Sequence, residues 1–264
     1  MLLLISSLLL MSCGADKYMK KGEKFLALGE YYDAAYQFKQ AYTRTPVKER
    51  DTRGKRALKM AQCYQRINAT PKAIAAYRNA IRYNQASKED QLAYARQLLK
   101  NGDYRQAEKV FLMLKDSMPG NQLIANGLKS AQMAPEWKKQ GSRYIVKRMD
   151  VFNSRRHDYS PVLFGDDYDQ LYFTSTRNEA LGDELSGITG TKAGDIFLSE
   201  KDDRGKWSKP EAIGTGLNTD YDEGACCFTP DGREMYLTQC VTDPSSPRYA
   251  QIATSPRSDA AWGK

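Results

Sequence analysis

Histidine is almost missing from this chain: one residue, His157, occurs in 264, and tryptophan is limited to three. A single histidine excludes a multi-histidine metal centre. Any Ser-His-Asp triad would have to be built on His157. The five cysteines, Cys13, Cys63, Cys226, Cys227 and Cys240, include no C-x-x-C pair, so neither a zinc ribbon nor a thioredoxin-like site is supported. No phosphate loop, G-x-S-x-G or H-E-x-x-H motif occurs. Long apolar runs are absent too. The one apolar stretch, Leu2 to Leu10, is too short for a bilayer-spanning helix, which takes about 20 residues.

What remains is an ordinary globular composition, with 41% apolar and 27% charged residues. The length allows two domains. The net charge of +8 hides an asymmetry. Residues 1–150 hold 28 Lys+Arg against 13 Asp+Glu, a net +15, while residues 151–264 hold 12 against 19, a net −7. Such a shift predicts two modules with different surfaces. A basic module is compatible with nucleic acid or anionic lipid. The lysines and arginines are interleaved with acids at helical spacing, which favours solvated helix faces over a nucleic-acid site.

The short apolar run fits the hydrophobic region of a secretory signal. It ends in Leu10-Met11-Ser12-Cys13, which resembles the lipobox of bacterial lipoproteins. The resemblance implies acylation of Cys13, with Leu10 and Ser12 as peptidase recognition positions. Met11 is larger than usual for that motif, and no basic residue precedes the run. The expectation is therefore a true start upstream of Met1. The alternative is a buried cysteine at the end of a core helix. On the lipobox reading, residues 1–13 are signal and Gly14-Ala15-Asp16 is a short tether.

Three segments then share one pattern: GEYYDAAYQFKQAYTRTP from Gly29, NATPKAIAAYRNAIRYNQ from Asn68, and GDYRQAEKVFLMLKDSMP from Gly102. Ala34, Ala73 and Ala107 fall in register, as do Phe38, Tyr77 and Phe111, and then Ala41, Ala80 and Leu114. The later two copies are 34 residues apart. Small residues allow close helix approach, an aromatic fills the gap to the next repeat, and a proline ends the second helix. These segments resemble tetratricopeptide repeats. The second lacks the turn glycine and terminal proline, having Asn68 and Gln85 instead. A charged linker is expected over Val47–Arg53, and a capping helix after Pro119. Residues 14–140 are thus expected to form an α-solenoid whose groove either holds a partner peptide or serves only as a spacer.

From about Tyr144 the pattern alternates like strands: YIVKRM, PVLFG, QLYFTS, GDIFLSE, ACCFTP and REMYLTQ. Leu163–Ser175 aligns with Cys227–Gln239 at a constant offset of 64, which also pairs Asp158 with Asp222 and Tyr172 with Tyr236. Asp195 then matches Gln251, and Trp207 matches Trp262. With Ser160-Pro161, Asp195-Ile196-Phe197, Trp207-Ser208-Lys209-Pro210, Tyr221-Asp222-Glu223-Gly224 and Thr229-Pro230-Asp231-Gly232, the region resembles WD40-like PD40 repeats of TolB-like propellers. The expectation is an α + β multidomain chain. Its partial β-propeller spans residues 141–264, with one blade over about 151–215 and an incomplete second over about 220–264. Two blades do not close a ring of about 4–8, so the chain is expected to carry part of a propeller.

His157 and Asp158 sit side by side, but a turn-satisfying role for Asp158 and Asp222 is favoured over catalysis. Cys226 and Cys227 are expected on opposite faces of a strand, and one of them is a candidate disulfide partner for Cys240 in an oxidising compartment. Asp167, Asp169, Asp183 and Glu184 lack EF-hand spacing and are read as a solvated loop.

A lipobox, tetratricopeptide repeats and PD40 blades in that order resemble periplasmic outer-membrane lipoproteins of the OmpA family and of type IX secretion. The resemblance implies a non-enzymatic, lipid-anchored scaffold on the periplasmic face of the outer membrane, without cofactor or metal. Its partners would be envelope or secretion-system proteins, and not nucleic acid. Peptidoglycan would be reached only through a further C-terminal domain. The alternative is the gating portion of a propeller-containing peptidase or hydrolase, whose catalytic domain would lie downstream.

Overall fold

The computed structural model describes residues 2–182, 185–214, 216–241, 246, 249–258 and 261–263, with the backbone alone for residues 2–13 and Val241. The chain divides into two compact units, Met1–Ile145 and Val146–Lys264.

The first unit is helical: α1 (Leu2–Ala27), α2 (Tyr31–Arg44), α3 (Arg50–Arg66), α4 (Thr70–Arg82), α5 (Lys88–Asn101), α6 (Tyr104–Ser117) and α7 (Gln122–Gln140). Successive helices pack against one another, so the unit grows by hairpins, α1/α2, α3/α4 and α5/α6, closed by α7. The hairpin turns hold Gly29, Asn68 and Gly102, all in the left-handed region with φ of 76°, 56° and 83°. Asn68 therefore does the work of the missing glycine, because asparagine tolerates that conformation better than other side chains.

The residues in register make the core. Ala34, Ala73 and Ala107 are inaccessible, as are Phe38, Tyr77 and Phe111, and then Ala41, Ala80 and Leu114. Glycine marks where an aromatic needs the room: a Cβ on Gly22 would lie 2.5 Å from the Phe38 ring, and one on Gly127 would overlap the Phe111 ring. Asn121 caps α7 by accepting from Leu123 N and Ile124 N, and the helix runs on through Pro135 to Gln140.

Two local expectations change. The linker expected over Val47–Arg53 is shorter, because α3 starts at Arg50. Arg53 explains this. Its ring-stacked guanidinium lies 4.2 Å from Tyr42 and donates to Thr45 O at 2.5 Å, so the extra residues form a helical turn that caps the end of α2. Gly14-Ala15-Asp16 is no tether either. It belongs to α1, Ala15 is buried, and Asp16 Oδ1 accepts from the buried Arg56 at 2.5 Å.

The second unit holds β1 (Asp158–Phe164), β2 (Gln170–Ser175), β3 (Asp195–Glu200), β4 (Glu211–Ala212), β5 (Glu223–Phe228), β6 (Glu234–Val241), β7 (Tyr249–Ser258) and β8 (Ala261–Trp262). They form two four-stranded antiparallel meanders, β1-β2-β3-β4 and β5-β6-β7-β8. The sheets meet through Tyr172, Phe164, Phe228 and Trp262, with Phe164 and Phe228 rings 4.3 Å apart. YIVKRM is not a strand. It pairs with no ladder, and Tyr144, Ile145 and Val146 are exposed, so its apolar residues have no sheet to join.

The internal repeat is real but its register differs from a constant offset. β1 bulges between Tyr159 and Val162, and β5 between Gly224 and Cys227. The bulge residues Ser160 and Ala225 share a positive φ and lie 65 residues apart. In the next strands Ser175 and Gln239 correspond, 64 apart. The first hairpin turn is therefore one residue longer than the second, which is why Asp166-Asp167-Tyr168 cannot be superposed on Pro230-Asp231-Gly232. Later in the copies, the pairs Lys201–Trp207 and Arg257–Trp262 bear out the matched tryptophans, each with a cation near its indole.

Candidate functional site

The sheet unit places most of the residues singled out by its motifs at structural junctions. Asp158 Oδ2 accepts from Ser154 N at 2.6 Å and Ser154 Oγ at 2.9 Å, and its Oδ1 accepts from Ser175 Oγ at 2.7 Å. Glu223 repeats this set: it accepts from Thr219 N at 2.8 Å, Thr219 Oγ1 at 2.7 Å and Gln239 Nε2 at 3.3 Å. The partner of Asp158 in the second copy is therefore Glu223, not Asp222, which corrects the sequence alignment by one residue. Asp222 Oδ1 instead accepts from Gly194 N at 2.8 Å, joining the second sheet to the loop before β3.

An arginine distinguishes the first copy. Arg177, which no motif indicated, donates to Asp158 Oδ1 at 2.9 Å, to Phe152 O at 2.6 Å and to Ser175 Oγ at 2.9 Å. Its guanidinium also lies over Phe173 and Phe197. Burial pushes the Asp158 carboxyl up, but Ser175, Ser154 and Arg177 together hold it below the usual carboxylate range. Among the described residues Glu223 has no such arginine donor, and burial raises it despite Thr219 and Gln239. Asp195 is fully buried, and among the described residues only its Oδ2 is hydrogen-bonded, accepting from Leu181 N at 2.8 Å. Burial pushes it up to about 6, helped by the nearby Glu223 and Asp222 charges.

The remaining positions serve packing and turns. Pro161 sits exposed in the β1 bulge, where its missing N–H is not needed. Tyr172 is buried and accepts from Trp262 Nε1 at 3.1 Å, while the matching Tyr236 is partly exposed. Trp207 packs edge-on to Phe152. Asp231 bonds Thr229 Oγ1 and Arg233 N around Gly232, whose φ is 68°. His157 meets Thr176 through its backbone. Cys226 is buried and Cys227 exposed, and both are free thiols together with Cys240 and Cys63. Asp167 and Asp169 are exposed, and Asp183 and Glu184 lie outside the described residues. Among the described residues no cluster of three His, Cys, Asp or Glu side chains is arranged to hold a metal ion.

The helical unit carries a cleft of about 410 Å³ lined by Leu26, Tyr31, Gln62, Arg66, Glu89 and Asp90 among others. Repeat stacking creates it, because α1, α3 and α5 each turn one face to the same side. Lys59 Nζ reaches Glu23 on α1 at 3.3 Å, and Gln62 Nε2 donates to Asp90 on α5 at 3.1 Å. Arg66 lies over the Tyr31 ring at 5.7 Å. Tyr77 donates to Gln65 Oε1 at 2.6 Å, and burial raises its phenol well above the ordinary range, so it stays a neutral donor. On the far wall, Ser87 and Asp90 form a reciprocal cap that fixes the start of α5. The Glu89 carboxyl is held low by backbone and Ser87 hydrogen bonds. The cleft thus pairs an arginine–aromatic face with amides and an acidic rim. The sequence showed the packing residues of the repeats but not this face, because exposed helix positions carry no periodic signal of their own. Leu10, Ser12 and Cys13 belong to the α1 backbone, and their side chains lie outside the described residues.

The fold and cleft define a helical-repeat unit joined to a unit of two antiparallel sheets. Solved structures similar to part of the chain include the C-terminal tetratricopeptide-repeat-containing domain of an FK506-binding protein from Plasmodium falciparum. It is 15% identical, with a TM-score of 0.42, over 50% of this chain and 94% of that one. The tetratricopeptide-repeat domain of Sgt2 from Aspergillus fumigatus is 17% identical, with a TM-score of 0.38, over 52% of this chain and 88% of that one. No family model matches the chain, and no curated protein matches it.

Proposed function

We propose that this protein is a non-enzymatic scaffold whose helical unit binds a segment of a partner protein in the cleft between α1, α3 and α5. The cleft carries the proposal: aromatic and arginine groups favoured at binding surfaces stand beside amides able to pair with an extended backbone. We read the helical hairpins as tetratricopeptide repeats and the two sheets as PD40-type propeller blades, which offer a second binding face. We further propose a lipid anchor at Cys13 and a place on the periplasmic side of the outer membrane, within a secretion or envelope assembly. These finer readings rest on the motifs in the sequence.

A photo-crosslinking residue in place of Gln62 tests the scaffold. It should capture a defined envelope protein from intact cells, and Arg66→Glu should abolish that product. Capture of the same product by a residue placed at Lys115, away from the cleft, would overturn the assignment. Lipidation is checked separately by mass spectrometry of the membrane fraction, where an unmodified Met1–Cys13 peptide would overturn it.

A further inference from the structure

The helix that opens the chain is continuous where a tether was expected. Its backbone runs unbroken from Leu2 to Ala27, and it contains no charged residue before Asp16. Both acids of α1 are turned toward α3. Asp16 meets Arg56, and Glu23 meets Lys59. The buried side of α1 is made by Ala15 and Gly22, with Tyr18, Met19, Phe25 and Leu26 partly covered beside them.

The lysines lie elsewhere. Lys17, Lys20, Lys21 and Lys24 recur at the spacing of a single helical stripe and are all exposed. None of the four makes an ion pair among the described residues, although Lys21 Nζ lies 5.6 Å over the Phe25 ring. Helical periodicity puts the stripe opposite Ala15 and Gly22, away from the packed side of the unit. Position 13 belongs to the same stripe, since 13, 17, 20 and 24 follow one another by four, three and four residues along an unbroken helix.

From this geometry we infer that α1 docks the helical unit flat against an anionic lipid surface, with Lys17, Lys20, Lys21 and Lys24 facing the headgroups. The inference rests on the lipid-anchor reading of Cys13 and adds an orientation to it. The Asp16–Arg56 pair joins α1 to α2 and α3, because Arg56 also donates to Ala41 O at 3.2 Å and to Thr45 Oγ1. The anchor would then hold the folded unit directly at the bilayer. Basic side chains at an anionic surface add attraction that falls off within a Debye length.

The full chain carrying Cys13→Ser, which removes any acyl contribution, provides the test. It is sedimented with vesicles of phosphatidylcholine alone and of equimolar phosphatidylcholine and phosphatidylglycerol. Binding should appear with the anionic vesicles and weaken as salt is raised. Substituting Lys17, Lys20, Lys21 and Lys24 with glutamine should weaken it by at least about ten-fold. The same change at Lys109, Lys115, Lys129 and Lys138 on α6 and α7 alters the net charge equally and should leave most of the binding intact. Circular dichroism confirms that both quadruple variants remain helical. Equal binding to both vesicle types, or equal losses in the two quadruple variants, would overturn the orientation. An unmodified Cys13 in cells overturns the anchor reading instead, so the two failures are distinguishable.

Discussion

Arg177 and Asp158 form a buried ion pair 2.9 Å long, with only 8% of either side chain exposed, and the matching position of the second sheet copy has no arginine. The carboxylate constellation is otherwise duplicated, by Ser154–Asp158–Ser175 in one sheet and Thr219–Glu223–Gln239 in the other. Removing one member of a buried pair strands the other charge. Arg177→Met should therefore destabilise the sheet unit by about 3–5 kcal/mol. Urea unfolding followed by tryptophan fluorescence would measure this, since Trp207 and Trp262 both belong to that unit.

Asp195 should make the sheet unit more stable in mild acid. Its pKa is raised in the folded protein, to about 6, mainly by burial. A carboxyl raised on folding binds its proton more tightly in the native state, so its contribution is favourable at low pH and is lost as pH rises through about 6. Asp222 and Glu223 shift in the same direction. Asp158 is lowered and opposes them only in more acidic solution. Thermal melts should show the melting temperature falling from about pH 4 to about pH 7 and then levelling off, with a shallower slope in Asp195→Asn. An unchanged slope in that variant would assign the dependence to other groups.

Gly127→Val should loosen the cap of the helical unit. A Cβ there overlaps the Phe111 ring, and the added branches force either the ring or α7 to move. Overpacking of this kind costs about 1–3 kcal/mol. The same substitution at Gly120, where nothing lies within 4 Å of the added Cβ, tests a different effect, since its φ of +77° strains the backbone without any overlap. Far-ultraviolet circular dichroism during urea titration separates the two, and Gly127→Val should also expose Phe111 to proteolysis.

The cysteines should label in a fixed order. Cys227 is exposed, whereas burial pushes the Cys63 and Cys226 thiols up to about 12 and leaves almost no thiolate at neutral pH. Iodoacetamide should modify Cys227 in the native protein and reach Cys63 and Cys226 only after denaturation. Peptide mass spectrometry reads the difference. Early modification of Cys226 would mean that its strand pairs differently.

Much of the architecture could be read from the order of side chains. Ala34, Phe38 and Ala41 recur at helical spacing and the start of β6 alternates, because burial on one face leaves a periodic trace in a single segment, whereas β2 and β3 are short β-rich runs with consecutive buried residues. Trp207 and Trp262 correspond because each closes a hairpin a few residues after the preceding strand, six after Lys201 and five after Arg257. Contacts between distant segments leave no such trace. The alignment of Asp158 with Asp222 failed by one residue because a turn longer by one residue shifts the copies without altering their composition. Arg177 carries no local signal, because its role lies in meeting Asp158 and Phe152, which are far from it in sequence.

The sequence by itself determined the two units, the helical repeat and the duplicated strands, since these follow from local periodicity and from the residues that tolerate each turn. Only the tertiary structure decided that Glu223 is the counterpart of Asp158, that Asp195 is buried with one oxygen unpaired among the described residues, and that Asp16 ties α1 to Arg56. Burial and charge pairing depend on which surfaces meet, and that is settled when the helices stack and the sheets close on one another.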